Sequence, residues 1–156
     1  MFIGHLPGGY LFARTLWRNS PRIVFIAGLI GAVLPDIDML WFHFVDHGAV
    51  HHHAYITHRP AIWAAILMVG VLLRNQIVIA LGAGGLVHMV LDSIAGAIAW
   101  GWPFSDVSKP LVVVPATYDH WVMSFLTHWT FQVEIGLTFV AMVVAIRANY
   151  FSDTEA

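Results

Sequence analysis

The chain has no cysteine and few charged residues, and both features limit what it can do. Charged residues make up 10% of the 156 positions, against about a quarter in a typical soluble domain. Without cysteine there is neither a disulfide framework nor a thiolate ligand. A net charge of −2 with no basic run argues against a nucleic-acid partner. Any metal ion must be held by imidazole and carboxylate groups, which suits zinc, manganese or iron.

Apolar residues are abundant instead. They account for 59% of the chain, and the mean hydropathy is +0.76. This composition predicts an all-α integral membrane protein built as a bundle of about five hydrophobic helices, several of them short. The length leaves room for one domain. We expect residues 1–150 to form it, followed by a polar tail over residues 151–156.

The apolar runs differ in length, and a full membrane span takes about 20 residues. Pro21 and Pro35 bound one uncharged run, which predicts a short or tilted helix that ends before Pro35. Only two runs, 77–100 and 126–146, are long enough to cross a bilayer outright. The proline-rich and aromatic stretch between them is expected to be a loop. The predicted helices cover 8–18, 21–34, 61–73, 77–100 and 126–146.

The cations indicate one orientation in a multi-pass arrangement, because lysine and arginine favour the cytoplasmic ends of membrane segments. If the first helix starts outside, only Arg59 and Lys109 lie outside. Five cations then lie on the cytoplasmic side: Arg14, Arg18, Arg22, Arg74 and Arg147. The same orientation puts five polar side chains at the extracytoplasmic face, although they played no part in choosing it: His5, Asp36, Asp38, His53 and His58.

Two acids and a histidine cluster organise the chain. The motif Leu34-Pro35-Asp36-Ile37-Asp38 follows an apolar run, and His51-His52-His53 and Thr57-His58-Arg59 come within about twenty residues. This pattern is typical of a metal site held by imidazole and carboxylate. The alternative is a polar loop that is merely rich in histidine. We expect His51 and His52 to lie on the loop surface, although they are also candidate spare ligands or proton shuttles.

His88 and Asp92 lie four residues apart on a predicted membrane helix, so they share one face. An ionisable pair inside a membrane segment indicates a functional site. A buried hydrogen bond that locks two helices together is the alternative.

The candidate ligands come from four segments of the chain. One zinc ion takes three or four protein ligands, so this many donors would suit two ions, which generate hydroxide and clamp an ester or phosphoester oxygen. Asp36 or Asp38 would serve as ligand and general base. Arg59 would either hold a substrate phosphate or cap the outer end of a helix. The candidate ligands are His5, Asp36, Asp38, His53, His58, His88 and Asp92.

Several of these motifs, in this order, resemble the family of membrane-bound metal-dependent hydrolases that includes LexA-regulated bacterial inner-membrane proteins. The resemblance spans about residues 1–106 and implies a hydrolase in the bacterial inner membrane. It is carried by Gly4-His5, Leu34-Pro35-Asp36-Ile37-Asp38, His53, Thr57-His58, His88-x-x-x-Asp92 and Trp102-Pro103-Phe104.

A looser similarity links the chain to the helical zinc-dependent phospholipase C and P1 nuclease group. The fit that it implies is Asp38, His53, His88 and Asp92. The later His-x-x-x-Glu of that group is absent, because His128 and Glu134 stand at a different spacing. The arginine that the membrane-bound hydrolase family usually has after the first loop histidine is also missing: Ala54 stands there, while Arg59 follows His58.

Together these observations predict a membrane-embedded hydrolase of an ester or phosphoester. The metal would be zinc, or manganese, as one or two ions. Membrane lipids are the expected partners, with a small-molecule or lipid-derived substrate. Two alternatives remain: a transporter that carries a metal ion or protons, and a non-catalytic scaffold with a structural metal site.

Overall fold

The fold is a helical bundle, seen in a computed structural model of the chain that describes residues 3–153 and side chains as far as Ala148. Residues 3–153 contain no β-strand, and a bridge between Ile98 and Lys109 is the extended pairing found there. The expected all-α class is confirmed for this part of the chain. The helices are α1 (His5–Trp17), α2 (Arg22–Val33), α3 (Asp38–Phe44), α4 (Pro60–Leu72), α5 (Gln76–Asp92), α6 (Trp121–Leu126) and α7 (Trp129–Asp153).

Helix α5 lies at the centre of the bundle, packed against α1, α2 and α4, while α7 packs on α1. Glycines set the close approach of α2 and α5. A Cβ on Gly31 would lie 2.1 Å from the Leu81 carbonyl oxygen, and one on Gly84 would lie 2.3 Å from the Gly28 carbonyl oxygen. Small residues of this kind let helix backbones approach within a membrane. They bring the end of α2 next to the face of α5 that carries His88 and Asp92.

Within residues 3–153, two helical segments are long and apolar enough to cross a membrane. Arg22–Phe44 has 23 residues and a mean hydropathy of 2.0, and Trp129–Ala148 has 20 residues and a mean hydropathy of 1.7. Pro60–Leu72 and Gln76–Asp92 are shorter apolar helices. The first segment joins α2 to α3 through a 3-10 turn, Leu34–Ile37.

The prediction that this helix ends before Pro35 is confirmed, because α2 ends at Val33 and a 3-10 turn follows it. Pro35 is buried and lies at the start of the 3-10 turn, where its missing N–H costs little, and the helical path then continues into α3. The tighter turn changes the direction of the side chains that follow. It points Asp36 and Asp38 toward His5 and His58, so the turn at Pro35 both follows the end of α2 and shapes the site.

The predicted span over residues 77–100 was wrong, because α5 ends at Asp92. The Gly96 amide donates to the Asp92 carbonyl at 2.6 Å, and the Leu111 amide donates to the Ser93 carbonyl, so the chain folds back here. A Cβ on Gly96 would lie 2.2 Å from His53 Cε1. Glycine therefore leaves the space that the imidazole of His53 occupies.

The last helix starts and ends later than expected. Helix α7 begins at Trp129 and continues to Asp153, whereas residues 126–146 were predicted. The first three residues of the expected polar tail are thus helical. Residues 154–156 lie outside the described part of the chain.

Candidate metal centre

The structure brings all seven predicted ligands to one end of the bundle. His5 is the first residue of α1, and Asp36 lies in the 3-10 turn that precedes α3, at whose start Asp38 stands. His88 and Asp92 occupy the final turns of α5. The 3-10 turns His52–Ala54 and Ile56–His58 bring in His53 and His58. Six of the seven side chains are buried, and Asp36 is the partly exposed one.

His88 is oriented by the backbone of α2. Its Nδ1 lies 2.8 Å from the Ala32 carbonyl oxygen, so this nitrogen must carry the proton and donate it. The other ring nitrogen, Nε2, therefore presents a lone pair to the other predicted ligands. Metal-binding histidines are commonly held in this way, with the second nitrogen bonded to a carbonyl or carboxylate.

His58 is oriented by a carboxylate in the same manner. Its Nδ1 lies 2.6 Å from Asp38 Oδ2, an oxygen that also accepts the hydroxyl of Thr57. Its Nε2 lies 3.6 Å from Asp36 Oδ1 and 3.4 Å from Asp92 Oδ2. Three carboxylates thus converge on one fully buried imidazole, and a positive charge is needed among them.

The lone-pair atoms form triangles of the size that a metal ion requires. His58 Nε2, His88 Nε2 and Asp92 Oδ2 are separated by 3.1, 3.4 and 3.4 Å. Tetrahedral zinc, with bonds of about 2.0–2.1 Å, places its ligand atoms about 3.3–3.4 Å apart. Asp36 Oδ1 lies 3.6 Å from the same two Nε2 atoms and forms a second triangle with them. Imidazole nitrogens and carboxylate oxygens at these distances need a shared proton or a bound cation between them.

His5 contacts Asp36 and Asp92 through the carboxylate oxygens that are not part of the two triangles. Its ring stacks on His88 with centroids 3.7 Å apart, and its Nε2 lies 2.9 Å from Asp92 Oδ1. Its Nδ1 lies 3.4 Å from Asp36 Oδ2. His5, His88 and Asp92 offer ligand atoms within 4.8 Å of one another, as do Asp36, His58 and His88.

Glu134 of α7 holds the segment that precedes His5. Its Oε2 accepts the backbone N–H groups of Ile3 at 2.6 Å and Gly4 at 3.0 Å. Its place beside Gly4 shows how α7 helps to position His5.

The pKa values of the two loop histidines, His58 and His53, are shifted in opposite directions. Burial tends to lower the pKa of His58, but hydrogen bonds to Asp36, Asp38 and Asp92 outweigh it and raise that pKa to about 10. Burial lowers the pKa of His53 to about 3, so its imidazole is neutral. Without a metal ion, the carboxylates therefore favour the protonated form of His58, and a bound cation would supply the positive charge in place of that proton. His53 stays in the neutral form that binds metal ions.

Asp38 lies beside the candidate centre and contacts it through His58. Its Oδ2 bonds His58 Nδ1, which points away from the two triangles. Its predicted role as a direct ligand remains a prediction, and its contacts favour a role in orienting His58.

The predicted role of Arg59 also remains a prediction. Its Nη2 donates to the Ala54 carbonyl at 2.8 Å and so stabilises the histidine loop. Its predicted contact with a substrate phosphate is untested.

We expect Asp38→Asn to weaken zinc binding by about 10–100-fold without preventing it at saturating zinc. The amide would hold the His58 ring less strongly and could present its NH₂ group to Nδ1. Zinc titration of the detergent-purified protein against a competing chelator measures this change. Asp106→Asn, at an exposed loop position, is the matched control. Equal affinities in the two variants would contradict the orienting role.

His52 is less exposed than expected. It was expected on the loop surface, yet it is half-buried, and His52, His53 and His58 offer ligand atoms within 4.8 Å of one another. The position of His52 beside His53 in the sequence was the signal that could have indicated this burial. The 3-10 turn that brings the two rings together could not be seen in the sequence.

A family model described as YdjM inner membrane protein matches residues 1–155. The chain belongs to the YdjM inner membrane protein family. This match covers nearly the whole chain and supports the inner-membrane location predicted from the sequence. Comparisons with curated proteins and with solved structures gave no match. Within this YdjM family member, the metal centre and its chemistry rest on the geometry given above.

Proposed function

We propose that this protein is a membrane-embedded, metal-dependent hydrolase of an ester or phosphoester bond. The observation that carries the proposal is the pair of triangles formed by two imidazole nitrogens and two carboxylate oxygens at 3.1–3.6 Å. His58, His88, Asp92 and Asp36 would hold the ion, with His5 alongside. Zinc fits this set of nitrogen and oxygen donors best, and manganese is the alternative.

Such an ion supplies Lewis acidity and makes water a nucleophile at neutral pH. The chain itself supplies orientation and proton transfer. Ala32 and Asp38 hold the rings of His88 and His58 so that both Nε2 atoms face the same point. Asp36 is the member of the cluster that reaches solvent, with 37% of its side chain exposed. It is therefore the residue placed to accept a proton from a water molecule at the open side.

The surroundings of the centre support a lipid-derived substrate. The loop that follows α5 carries apolar side chains that face outward, with Phe104 97% exposed and Leu111 and Val113 more than three-quarters exposed. Aromatic residues such as Trp100 and Trp121 are typical of the membrane interface. Together with the cation distribution, this supports a centre at the extracytoplasmic face of a multi-pass protein, opening where lipid headgroups lie.

Two other functions use the same residues. In a scaffold, the ion would tie α1, α2 and α5 to the histidine loop without catalysis, and burial of most of the donors favours this alternative. A transporter would need donors along a path through the bilayer. The grouped donors described above lie at one end of the bundle, which favours a fixed site.

We expect Asp36→Ala to reduce hydrolysis by at least about 100-fold, the lower range for loss of a general base, while zinc stays bound through His58, His88 and Asp92. Bis(p-nitrophenyl) phosphate and p-nitrophenyl butyrate are suitable probes with detergent-purified protein, and elemental analysis gives the zinc content. Asp119→Ala, at an exposed loop position, is the control. Zinc in the wild type without hydrolysis of either ester would favour the scaffold, and wild-type protein without stoichiometric metal would remove the hydrolase proposal.

A further inference from the structure

Four histidines form a continuous row from the surface to the candidate centre. His51 is exposed, His52 is half-buried, and His53 and His58 are buried. The ring centroids of His51 and His52 are 4.8 Å apart, and those of His52 and His53 are 4.1 Å apart. His58 follows at 5.0 Å from His53 and 5.2 Å from His52. We call these four residues the imidazole row.

The row ends on a residue of the centre itself. His58 shares one group of close ligand atoms with His52 and His53, and a second group with Asp36 and His88. Its ring lies 5.3 Å from that of His88. An ion held by the first group can therefore reach the second by exchanging His52 and His53 for Asp36 and His88 while it stays near His58.

The row is also held in place by its surroundings. The ring of His52 lies edge-on to Phe42 at 6.1 Å, and the His51 ring accepts the backbone N–H of His53 at 3.3 Å. Gly96 leaves the space for the His53 ring. A hydrated divalent ion does not cross apolar packing without donors that replace its water. The buried His58 and His88 thus need a polar route to solvent, and the row supplies one.

We propose that His51 and His52 pass the metal ion between solvent and the buried centre, so that they control the rate of metal exchange and not the affinity. This inference rests on the proposed metal centre. Asp36 also reaches solvent, but on the side assigned above to the substrate. Because a route that speeds uptake speeds release equally, loss of the row slows exchange in both directions and leaves the equilibrium unchanged.

The test uses the zinc-loaded, detergent-purified protein and isotopically enriched zinc as the probe. Exchange is followed by mass spectrometry of samples separated from free zinc at successive times. We expect the double variant His51→Ala/His52→Ala to exchange at least about tenfold more slowly than wild type, the low end of the range over which association rates vary among variants. Zinc stoichiometry and affinity should match those of wild type. The control is His43→Ala/His120→Ala, which removes two exposed histidines outside the row.

The other outcomes would overturn the inference in distinguishable ways. Unchanged exchange in the His51→Ala/His52→Ala variant would show that ions reach the centre without His51 and His52. Loss of one ion per chain would make His52 a ligand of a resident second ion. Wild-type protein that binds no zinc would instead remove the metal centre on which both proposals depend.

Discussion

Replacement of His88 by alanine is expected to abolish stoichiometric zinc binding and to destabilise the bundle. The change removes the Nε2 atom shared by both triangles and leaves the Ala32 carbonyl without its imidazole donor. It also leaves the carboxylates of Asp36 and Asp92 close together, with one side chain fewer to hold a cation between them. Breaking a buried charged network typically costs about 3–5 kcal/mol, and a lost ligand further removes the stabilisation that the metal itself contributes.

Elemental analysis and thermal unfolding in detergent, with and without a chelator, measure these two effects separately. The control is His43→Ala, which removes an exposed histidine from α3. We expect the chelator to lower the melting temperature of wild type and of His43→Ala, and to leave that of His88→Ala unchanged. A His88→Ala protein that keeps its full zinc content would show that the triangles do not hold the ion.

Replacement of Gly84 by alanine is expected to have an effect of similar size through the backbone. A Cβ at this position would lie 2.3 Å from the Gly28 carbonyl oxygen and 2.9 Å from the Ala32 amide nitrogen. Both are backbone atoms of α2, so the clash can be relieved only if the helices move apart. Such overpacking typically costs about 1–3 kcal/mol or more. The separation would also lengthen the bond between His88 and Ala32 and weaken zinc binding.

Gly136→Ala is the matched control, because a Cβ at Gly136 meets nothing within 4 Å. Alanine favours a helix over glycine by about 1 kcal/mol, so this control should be neutral or slightly stabilising. Unfolding temperature and zinc affinity of the two variants give the comparison. If Gly84→Ala bound zinc and unfolded like Gly136→Ala, the close approach of α2 and α5 would not position the site.

Much of the fold follows from local properties of the sequence. The low charge and long apolar runs indicate helices, because only helices satisfy every backbone hydrogen bond within an apolar segment. Pro60–Leu72 agrees within one residue with the predicted helix. Histidine and aspartate are rare in such segments, so their presence alone indicated one polar centre before any distance was known.

The features that the sequence did not predict lie where contacts between distant segments decide the local structure. The helix ends before Pro35 as predicted, but the 3-10 turn that follows directs Asp36 toward His5. Helix α5 ends at Asp92 because the loop that follows folds back and admits His53. Neither feature changes the pattern of apolar residues in its own segment, so neither can be predicted from that pattern.

By itself, then, the sequence determined the helical class, the membrane character and the identity of the histidines and aspartates that meet. Only the tertiary structure decided which atoms face one another. It directs Asp38 to His58 Nδ1, brings His52 beside His53 and places Glu134 at the Gly4 amide. The reason is physical: side-chain chemistry is local and can be read from single residues, whereas ring orientation depends on hydrogen bonds between segments that are far apart in the chain.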